Sequence, residues 1–378
     1  MVTINLDLQK NTVIDSIIER FDFADDSSST ENPKTKEQKI AHFLEKFSEG
    51  VLGIADQYRF SNSADLMTLL QGLADNESKG VTYWDYIEVD TLLSLQKTKT
   101  NYPDEVIFIA YHQIHELYFK LIIQELEKIT CPSKFESFVS ADQVQQWQDG
   151  LQRVIRYMNK LIGSIDILKY GLSSKEFSKF RKSLLPASGF QTHQFRLIEI
   201  MLTPFEYLIK SGIREVTNPA DLTLENHFDD IYWRSAVMAA GQPAKILTNF
   251  NAKYDRLFTE QLKYFSTCNL YFKYLAASEE FRNKVKGVMI RLEESILMWK
   301  IAHLKTVRAH IPIFVKGTGG VHWSEYLEVK NQKIYYFPVF WEGLDTSEKL
   351  DKKIKEIEEK YPSKIMQELN EIWEDGQA

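Results

Sequence analysis

The residue types that could carry chemistry in this chain centre on one histidine, His303, which lies inside an apolar helical pattern. The other positions of that pattern recur at spacings of three and four residues, as the core-facing stripe of a helix does, and include Val285, Val288, Leu292, Ile296, Trp299 and Val307. His303 is four residues from both Trp299 and Val307, so it shares their face. Burying an imidazole among apolar side chains costs free energy unless its nitrogens find partners. His303 is therefore either a core histidine bonded within the protein or the ligand of a large apolar group.

Two more histidines share a helical face with two phenylalanines. That face, with spacings of four, three and four residues, is formed by Phe108, His112, His115 and Phe119. Two histidines on one face could bind a metal, but a zinc site needs a third or fourth ligand at a recognisable spacing, and none is nearby. A di-iron bundle would need Glu-x-x-His pairs, and these, like the HExxH motif, are absent. A pair of buried structural histidines therefore stays open beside a functional one.

An arginine and a glycine turn are the other candidates for a binding site. Arg181 lies where a helical pattern gives way to the turn at Pro186. A guanidinium at a pocket rim suits the bidentate binding of a carboxylate, and a solvated surface arginine is the alternative. The turn over residues 316–320 contains three glycines but matches neither the dinucleotide-binding nor the P-loop pattern. It is interpreted as an ordered loop over a pocket or as a surface connection.

The elements that position these residues predict an all-α fold, a large helical bundle with short connections. The predicted helices cover residues 104–129, 141–169, 191–210, 242–275 and 281–308. The third of them should be perturbed near Pro204. A small β-hairpin is predicted for 326–340, and a charged helix for 347–374.

The first 80 residues are predicted to be a separate N-terminal helical extension of unknown role. Amphipathic patterns over 35–52 and 63–73 predict two helices there, and the polar segment 75–80 is typical of a linker. Residues 81–378 then form the main domain, which carries all the candidate site residues.

Composition limits the partners and the setting of the chain. The 378 residues carry a formal net charge of −7, which argues against nucleic acid or an anionic membrane as the main partner. We find neither an apolar run of membrane-spanning length nor a secretory signal. Two cysteines, Cys131 and Cys268, lie far apart and predict neither a disulfide framework nor a zinc site, so we expect a reducing, cytoplasmic setting.

Four segments together resemble the tryptophan 2,3-dioxygenase family. The segment similar to that family's signature helix reads Asp104-Glu105-x-x-Phe108-Ile109-x-x-His112-Gln113-x-x-Glu116-Leu117-x-Phe119-Lys120. The early tyrosine segment reads Tyr83-x-x-Tyr86-Ile87-x-x-Asp90-x-Leu92-Leu93-x-x-Gln96. The second block reads Phe180-Arg181 and then Ser188-Gly189-Phe190-Gln191-x-x-Gln194-Phe195-Arg196-x-x-Glu199. The third reads Trp299-x-x-x-His303-x-x-x-Val307, then Gly317-Thr318-Gly319-Gly320 and Tyr326-Leu327.

The resemblance implies an all-α, homotetrameric enzyme that holds a b-type haem. Such an enzyme opens the indole ring of L-tryptophan with O2 and gives N-formylkynurenine. By the same resemblance, His303 would be the proximal iron ligand and His112 the distal histidine that faces the indole N–H. Phe108 would pack on the indole, and Phe177 would form a wall of the pocket.

The resemblance also assigns the amino-acid end of the substrate and the contribution of a second subunit. Arg181 would bind the substrate carboxylate, and Thr318 would bind its ammonium group. The residues that would come from a neighbouring subunit are Tyr83, Tyr86 and Ile87.

The chain departs from the family pattern at several places. Tyr118 stands where the family usually has tryptophan, and Val321-His322-Trp323 replaces the usual Ser-Ser-Gly. The second change falls in a loop that the resemblance places beside the substrate. Two further classes of function therefore stay open: a related haem oxygenase acting on another indole or aromatic amino acid in a biosynthetic pathway, and a non-catalytic haem or amino-acid binding protein.

Overall fold

The computed structural model describes part of the chain. The described residues are 82–132, 143–185, 187–235, 238–239, 242–243, 245–261, 268–312, 315–317, 322–323, 327, 336–341, 352, 355–356 and 359. The chain divides into two compact units, Met1–Leu95 and Gln96–Ala378. The predicted boundary at residue 80 and the helices predicted over 35–52 and 63–73 lie outside the described residues and stay predictions.

The described elements are almost all helical, which confirms the predicted all-α class. In the first unit they are α1 (Tyr83–Tyr86) and α2 (Val89–Leu93). In the second unit they are α3 (Glu105–Thr130), α4 (Gln143–Gly171), α5 (Ser174–Phe180), α6 (His193–Leu202), α7 (Ser211–Arg214), α8 (Leu224–His227), α9 (Tyr232–Ser235), α10 (Lys245–Gln261), α11 (Leu270–Ala276) and α12 (Glu279–His310). Short 3-10 helices occur at Arg181–Leu184, Gly189–Gln191, Phe205–Leu208, Pro219–Asp221, Phe228–Asp230 and Pro338–Phe340.

Three long helices, α3, α4 and α12, form the centre of the second unit, where α4 packs against both of the others. The apolar stripe of α4 is buried as its periodicity predicts, with Leu151, Leu161 and Ile165 fully inaccessible. α12 begins after Ser278, whose hydroxyl accepts a hydrogen bond from the Phe281 N–H, an N-cap that satisfies one of the open donors of the first turn. These helices hold the histidines of α3 and α12 at fixed positions.

Two predicted helices are shorter than their patterns suggested. The helix predicted over 191–210 ends at Leu202, and a 3-10 turn follows Pro204, because proline cannot donate the next helical hydrogen bond. The region predicted as one helix over 242–275 is divided. Gln242–Pro243 pairs with Met238–Ala239 as a two-residue antiparallel ladder, and Asn269 caps a new helix, α11.

The predicted β-hairpin over 326–340 is not found in the described part of that segment. Pro338–Phe340 is a 3-10 helix that begins at a proline. Proline suits the first turn of a helix because its missing N–H would have no partner there. Residues 328–335 lie outside the described residues. The charged helix predicted over 347–374 is described only at residues 352, 355, 356 and 359, which are helical.

The sequence indicated no disulfide framework, but the two cysteines are paired in this structure. Cys131, which follows α3, is joined by a disulfide to Cys268, which precedes α11, and their Cα atoms are 5.6 Å apart. That separation is ordinary for a disulfide. The sequence could not show it, because 137 residues separate the two positions and only the packing of α11 near α3 brings them together.

One described helix, α3, is long and apolar enough to cross a membrane by length and composition alone, with a mean hydropathy of 1.2. A single such helix is weak evidence, since core helices pass the same test. α3 packs against α4 and α6 and buries polar residues such as Glu105, His115 and Glu125. These contacts show that one face of α3 packs against the neighbouring helices.

A fully buried carboxylate, Glu199 of α6, connects several elements. Its Oε1 accepts hydrogen bonds from the hydroxyls of Tyr232 (2.7 Å) and Tyr336 (2.8 Å) and from Lys300 Nζ (3.1 Å). Its Oε2 accepts one from Arg196 Nη1 at 3.0 Å. Burial alone would raise the pKa of Glu199, but Lys300 and Arg196 outweigh it and lower that pKa. We call these five residues the Glu199 network.

We expect Glu199→Gln to destabilise the protein by roughly 3 kcal/mol or more, because it leaves two buried cations without their carboxylate. Urea unfolding at pH 7 measures the change. The control is Glu280→Gln, which breaks an exposed pair with Lys284 on α12 and should leave the unfolding midpoint nearly unchanged. An equal effect of both substitutions would show that the Glu199 network adds no stability.

Candidate functional site

A cavity lies in the second unit between the helices that carry the predicted site residues. The cavity and its opening to solvent together span about 1230 Å³ that protein atoms do not fill. Its apolar lining includes Phe108, Leu168, Leu172, Phe177, Leu184, Phe195, Trp299, Val307, Ile311, Trp323 and Leu327. Its polar lining includes Tyr111, His112, Ser188, Thr192, Arg196, Tyr232, Lys300, His303, Thr306 and His310. A large apolar pocket with a few polar groups is typical of a binding site for a small molecule or cofactor.

The α3 wall of the cavity presents Phe108 and His112. Their ring centroids are 4.2 Å apart, and Phe108 also stacks on Phe177 of α5 at 5.7 Å. His112 Nδ1 lies 2.7 Å from the Phe108 carbonyl oxygen. Because a carbonyl only accepts, Nδ1 carries the proton and Nε2 keeps a lone pair. Burial lowers the pKa of His112, so the ring is neutral at pH 7.

The α12 wall presents His303, whose ring stacks on Trp299 at a centroid distance of 5.5 Å. Burial, with a smaller effect from His112, lowers the pKa of His303 to about 4. The imidazole is therefore neutral at pH 7 and can offer a lone pair to a metal. Within the described residues neither ring nitrogen of His303 makes a hydrogen bond, so the interpretation as a core histidine bonded within the protein has no support there.

The cavity fits a flat apolar cofactor. Along α12 it is lined from Trp299 to Ile311, a length of about 18 Å at 1.5 Å per residue. The cavity wall as a whole is apolar over most of its surface, and His303 lies in it with a neutral imidazole. No group of three metal-ligating side chains occurs among the described residues, so the two-histidine metal site that the sequence left open has no third protein ligand there.

Arg181 lies beside the cavity and is not among its lining residues. It follows α5, and its Nη2 donates a hydrogen bond to the Lys316 carbonyl oxygen. Its Nε is buried without a hydrogen-bond partner in the described part of the chain. The guanidinium thus ties the end of α5 to the segment before Gly317, which does line the cavity. Thr318 lies outside the described residues.

The three residues predicted to come from a neighbouring subunit belong to the first unit. Tyr83 and Tyr86 lie on α1 with 72% and 75% of their surface exposed, and Ile87 follows with 40%. Large apolar side chains exposed to this extent are typical of a surface that another chain covers.

Several lining residues were not singled out from the sequence. Tyr111 is three residues after Phe108, so the helical period alone could have placed it near the same face. Lys300 and Arg196 could not have been found in this way, because charged residues on a helix usually face solvent. Here the Glu199 network holds both of them inside the wall.

His115, the second histidine of the α3 face, is buried but does not line the cavity. Its Nδ1 lies 3.0 Å from the Tyr111 carbonyl oxygen. Burial lowers its pKa to about 3. His115 thus fits the structural interpretation of the α3 histidines, whereas His112 fits the functional one.

The buried neutral state of His115 predicts a pH dependence of stability. Below its ordinary pKa of 6.5 the unfolded chain takes up a proton that the folded chain does not, so stability falls as the pH drops from 6.5 towards 3. Between pH 7 and pH 5 this costs about 2 kcal/mol. In urea unfolding, His115→Phe should lose less free energy of unfolding between pH 7 and pH 5 than the wild type does, and the difference should be that amount. The control is His227→Phe, at a histidine bonded to Asp230 outside the cavity; an unchanged pH slope in His115→Phe would contradict the prediction.

Comparison with known proteins identifies the family of this chain. The family model described as tryptophan 2,3-dioxygenase matches residues 67–207. A tryptophan 2,3-dioxygenase of Bacillus thuringiensis (strain Al Hakam) is 30% identical over 283 residues, covering 72% of this chain and 94% of the relative. One of Ruegeria sp. (strain TM1040) is 28% identical over 295 residues, covering 71% of this chain and 92% of the relative. With its cavity between α3 and α12 and this match along nearly the whole of its relatives, the chain belongs to the tryptophan 2,3-dioxygenase family of oxidoreductases.

Proposed function

We propose that this chain is a haem-dependent dioxygenase that cleaves the C2–C3 bond of the indole of L-tryptophan with O2, giving N-formylkynurenine. The reaction would serve tryptophan catabolism through the kynurenine pathway. One observation carries the proposal: neutral imidazoles on two different helices, His112 and His303, line the same apolar cavity. This arrangement offers one nitrogen to a metal and a second to a substrate.

His303 would hold the iron of haem b as its proximal ligand. A single imidazole on an apolar wall is a common form of haem ligation, and the neutral state of His303 keeps its lone pair available at pH 7. When bound, the haem would supply a redox-active iron that activates the co-substrate O2. Trp299, stacked on the His303 ring, would fix the orientation of that ring.

The indole ring would lie against Phe108 and Phe177, which form an aromatic wall suited to a flat ligand. His112 would accept a hydrogen bond from the indole N–H through Nε2, because its Nδ1 is already committed to the Phe108 carbonyl. Such a bond orients the substrate and is worth roughly 0.5–1.5 kcal/mol. We therefore assign His112 a role in orientation that increases the rate without being essential.

Arg181 would bind the substrate carboxylate, and Thr318 would bind the ammonium group. In the described structure the Arg181 guanidinium donates to the Lys316 carbonyl. To bind a carboxylate, the side chain must either change its rotamer or use N–H groups that are not engaged in that contact. An arginine has five N–H groups, so it can keep the loop contact and still offer donors to a substrate.

The active form would be a homo-oligomer, specifically a tetramer, in which Tyr83, Tyr86 and Ile87 reach the site of a neighbouring subunit. Their exposure supports a role at an interface. The partner molecule is a small substrate, and the net charge of −7 argues against nucleic acid or an anionic membrane. We propose a cytoplasmic location on the resemblance to the family.

A second candidate has one specific observation in its favour. Trp323, from the segment that departs from the family pattern, is buried and lines the cavity, where it packs with Leu304. A large ring at this position changes the space next to the substrate. A haem oxygenase that acts on another indole or aromatic amino acid is therefore the alternative.

The central test is an anaerobic titration of the ferrous, haem-loaded protein with L-tryptophan, followed by O2. We expect a substrate-dependent shift of the Soret band and then the absorbance of N-formylkynurenine. His303→Ala should fold, as judged by circular dichroism, but bind little haem and form no product. Full haem occupancy with an unchanged Soret band in that variant would rule out His303 as the proximal ligand.

The role of Arg181 is tested by comparing L-tryptophan with tryptamine, which has no carboxylate. A charge-assisted contact is worth roughly 1.5–3 kcal/mol, so Arg181→Leu should lower kcat/KM for L-tryptophan by about tenfold to a hundredfold and affect tryptamine far less. Binding constants replace rates if tryptamine does not turn over. The control is Lys182→Leu, at the adjacent cation. Equal losses for both ligands would mean that Arg181 acts only through its contact with Lys316.

A further inference from the structure

Tyr111 is a buried cavity residue that the proposed reaction does not yet use. It lies on α3 immediately before His112, is only 2% exposed and lines the cavity. Its ring belongs to an apolar cluster with Leu168, Leu172, Phe177 and Phe180. Within the described residues its hydroxyl is buried and has no hydrogen-bond partner.

The neighbouring rings leave the Tyr111 hydroxyl without an acceptor. The His112 ring meets Tyr111 edge to face at 5.1 Å, and the His115 ring lies 4.1 Å away, yet neither forms a hydrogen bond with the hydroxyl. A buried polar group without a partner costs free energy. Burial also raises the pKa of Tyr111, so the phenol keeps its proton and remains a donor.

The helix places this donor next to His112, and the two rings are in edge-to-face contact. Both residues line the cavity, as does Phe108. A flat ligand that lies on Phe108 and reaches His112 would therefore also lie close to Tyr111. His112 can accept a hydrogen bond from an indole N–H. Tyr111 can donate a hydrogen bond, but the unsubstituted indole ring has no acceptor for it, so the acceptor must be another atom of the substrate.

We propose that Tyr111 is a specificity-determining residue whose hydroxyl donates a hydrogen bond to an oxygen of the amino-acid substrate. This inference rests on the proposed function. The acceptor is an oxygen in either of two positions: the substrate carboxylate, or a substituent on the aromatic ring. Both leave the hydroxyl satisfied only when substrate is bound.

If Tyr111 has this role, removing its hydroxyl should weaken substrate binding without lowering the stability of the protein. In the haem-loaded protein without substrate, Tyr111→Phe removes an unsatisfied hydroxyl and keeps the ring, so the Tm should stay the same or rise by about 2–4 °C. If the substrate carboxylate is the acceptor, titration followed by the Soret shift should show the Kd for L-tryptophan rising about tenfold, the effect of losing one hydrogen bond. If a ring oxygen is the acceptor, that rise appears with a ring-hydroxylated substrate instead. The matched control is Tyr274→Phe, at a buried tyrosine of α11 outside the cavity lining, which should leave the Kd unchanged.

Two further ligands distinguish the two acceptor positions. If the carboxylate is the acceptor, Tyr111→Phe weakens L-tryptophan but leaves tryptamine within twofold of the wild type. If a ring oxygen is the acceptor, the wild type prefers 5-hydroxy-L-tryptophan to L-tryptophan, and Tyr111→Phe removes that preference.

Three results would overturn the inference. The first is an unchanged Kd for all three ligands in Tyr111→Phe. The second is a lower Tm together with weaker binding, which would assign Tyr111 a structural role. If the wild type gives no Soret shift with any of the ligands, the proposed function fails together with the inference. If the wild type binds and Tyr111→Phe binds equally well, only the inference fails.

Discussion

The Glu199 network is the interaction on which the cavity most depends. The buried Glu199 carboxylate accepts hydrogen bonds from two hydroxyls and two cationic side chains. The five residues of the network come from α6, α9, α12 and the segment at Tyr336. Because removing any partner would leave a buried charge or hydroxyl unpaired, the four elements are held in one relative arrangement. Three members, Arg196, Tyr232 and Lys300, also form part of the cavity wall. The network therefore gives two charged side chains and a tyrosine a fixed place in the cavity wall.

Desolvation then decides the chemistry available inside the cavity. It lowers the pKa of the imidazoles of His112 and His303, so each presents a lone pair at neutral pH. For His112 the backbone of its own helix selects which nitrogen carries the proton, through the Phe108 carbonyl. Two neutral imidazoles on different helices, each with a free lone pair, thus follow from burial and helical geometry, without a charged group at either position.

Much of the site could be predicted because helical periodicity is local. The spacing of Phe108 and His112 put both on one face, and the stripe through Trp299, His303 and Val307 put His303 inside. In the structure all five line one cavity, and their roles stay predictions. The position of the Arg181 side chain was harder to predict, because at a pocket rim it depends on the choice of rotamer. Its guanidinium contacts the Lys316 carbonyl and does not line the cavity. The roles of Tyr83, Tyr86, Ile87 and Thr318 stay predictions.

The sequence by itself determined the all-α class, the three long central helices and which of their faces are buried, since hydrophobic spacing and capping residues act within a few positions. It also carried the family resemblance, through residues at fixed local intervals. Only the tertiary structure decided that Cys131 meets Cys268, that Glu199 gathers two cations and two tyrosines, and that Tyr111 has a hydroxyl without a partner. Each of these depends on contacts between helices, and long-range contacts of this kind have no local pattern along the chain.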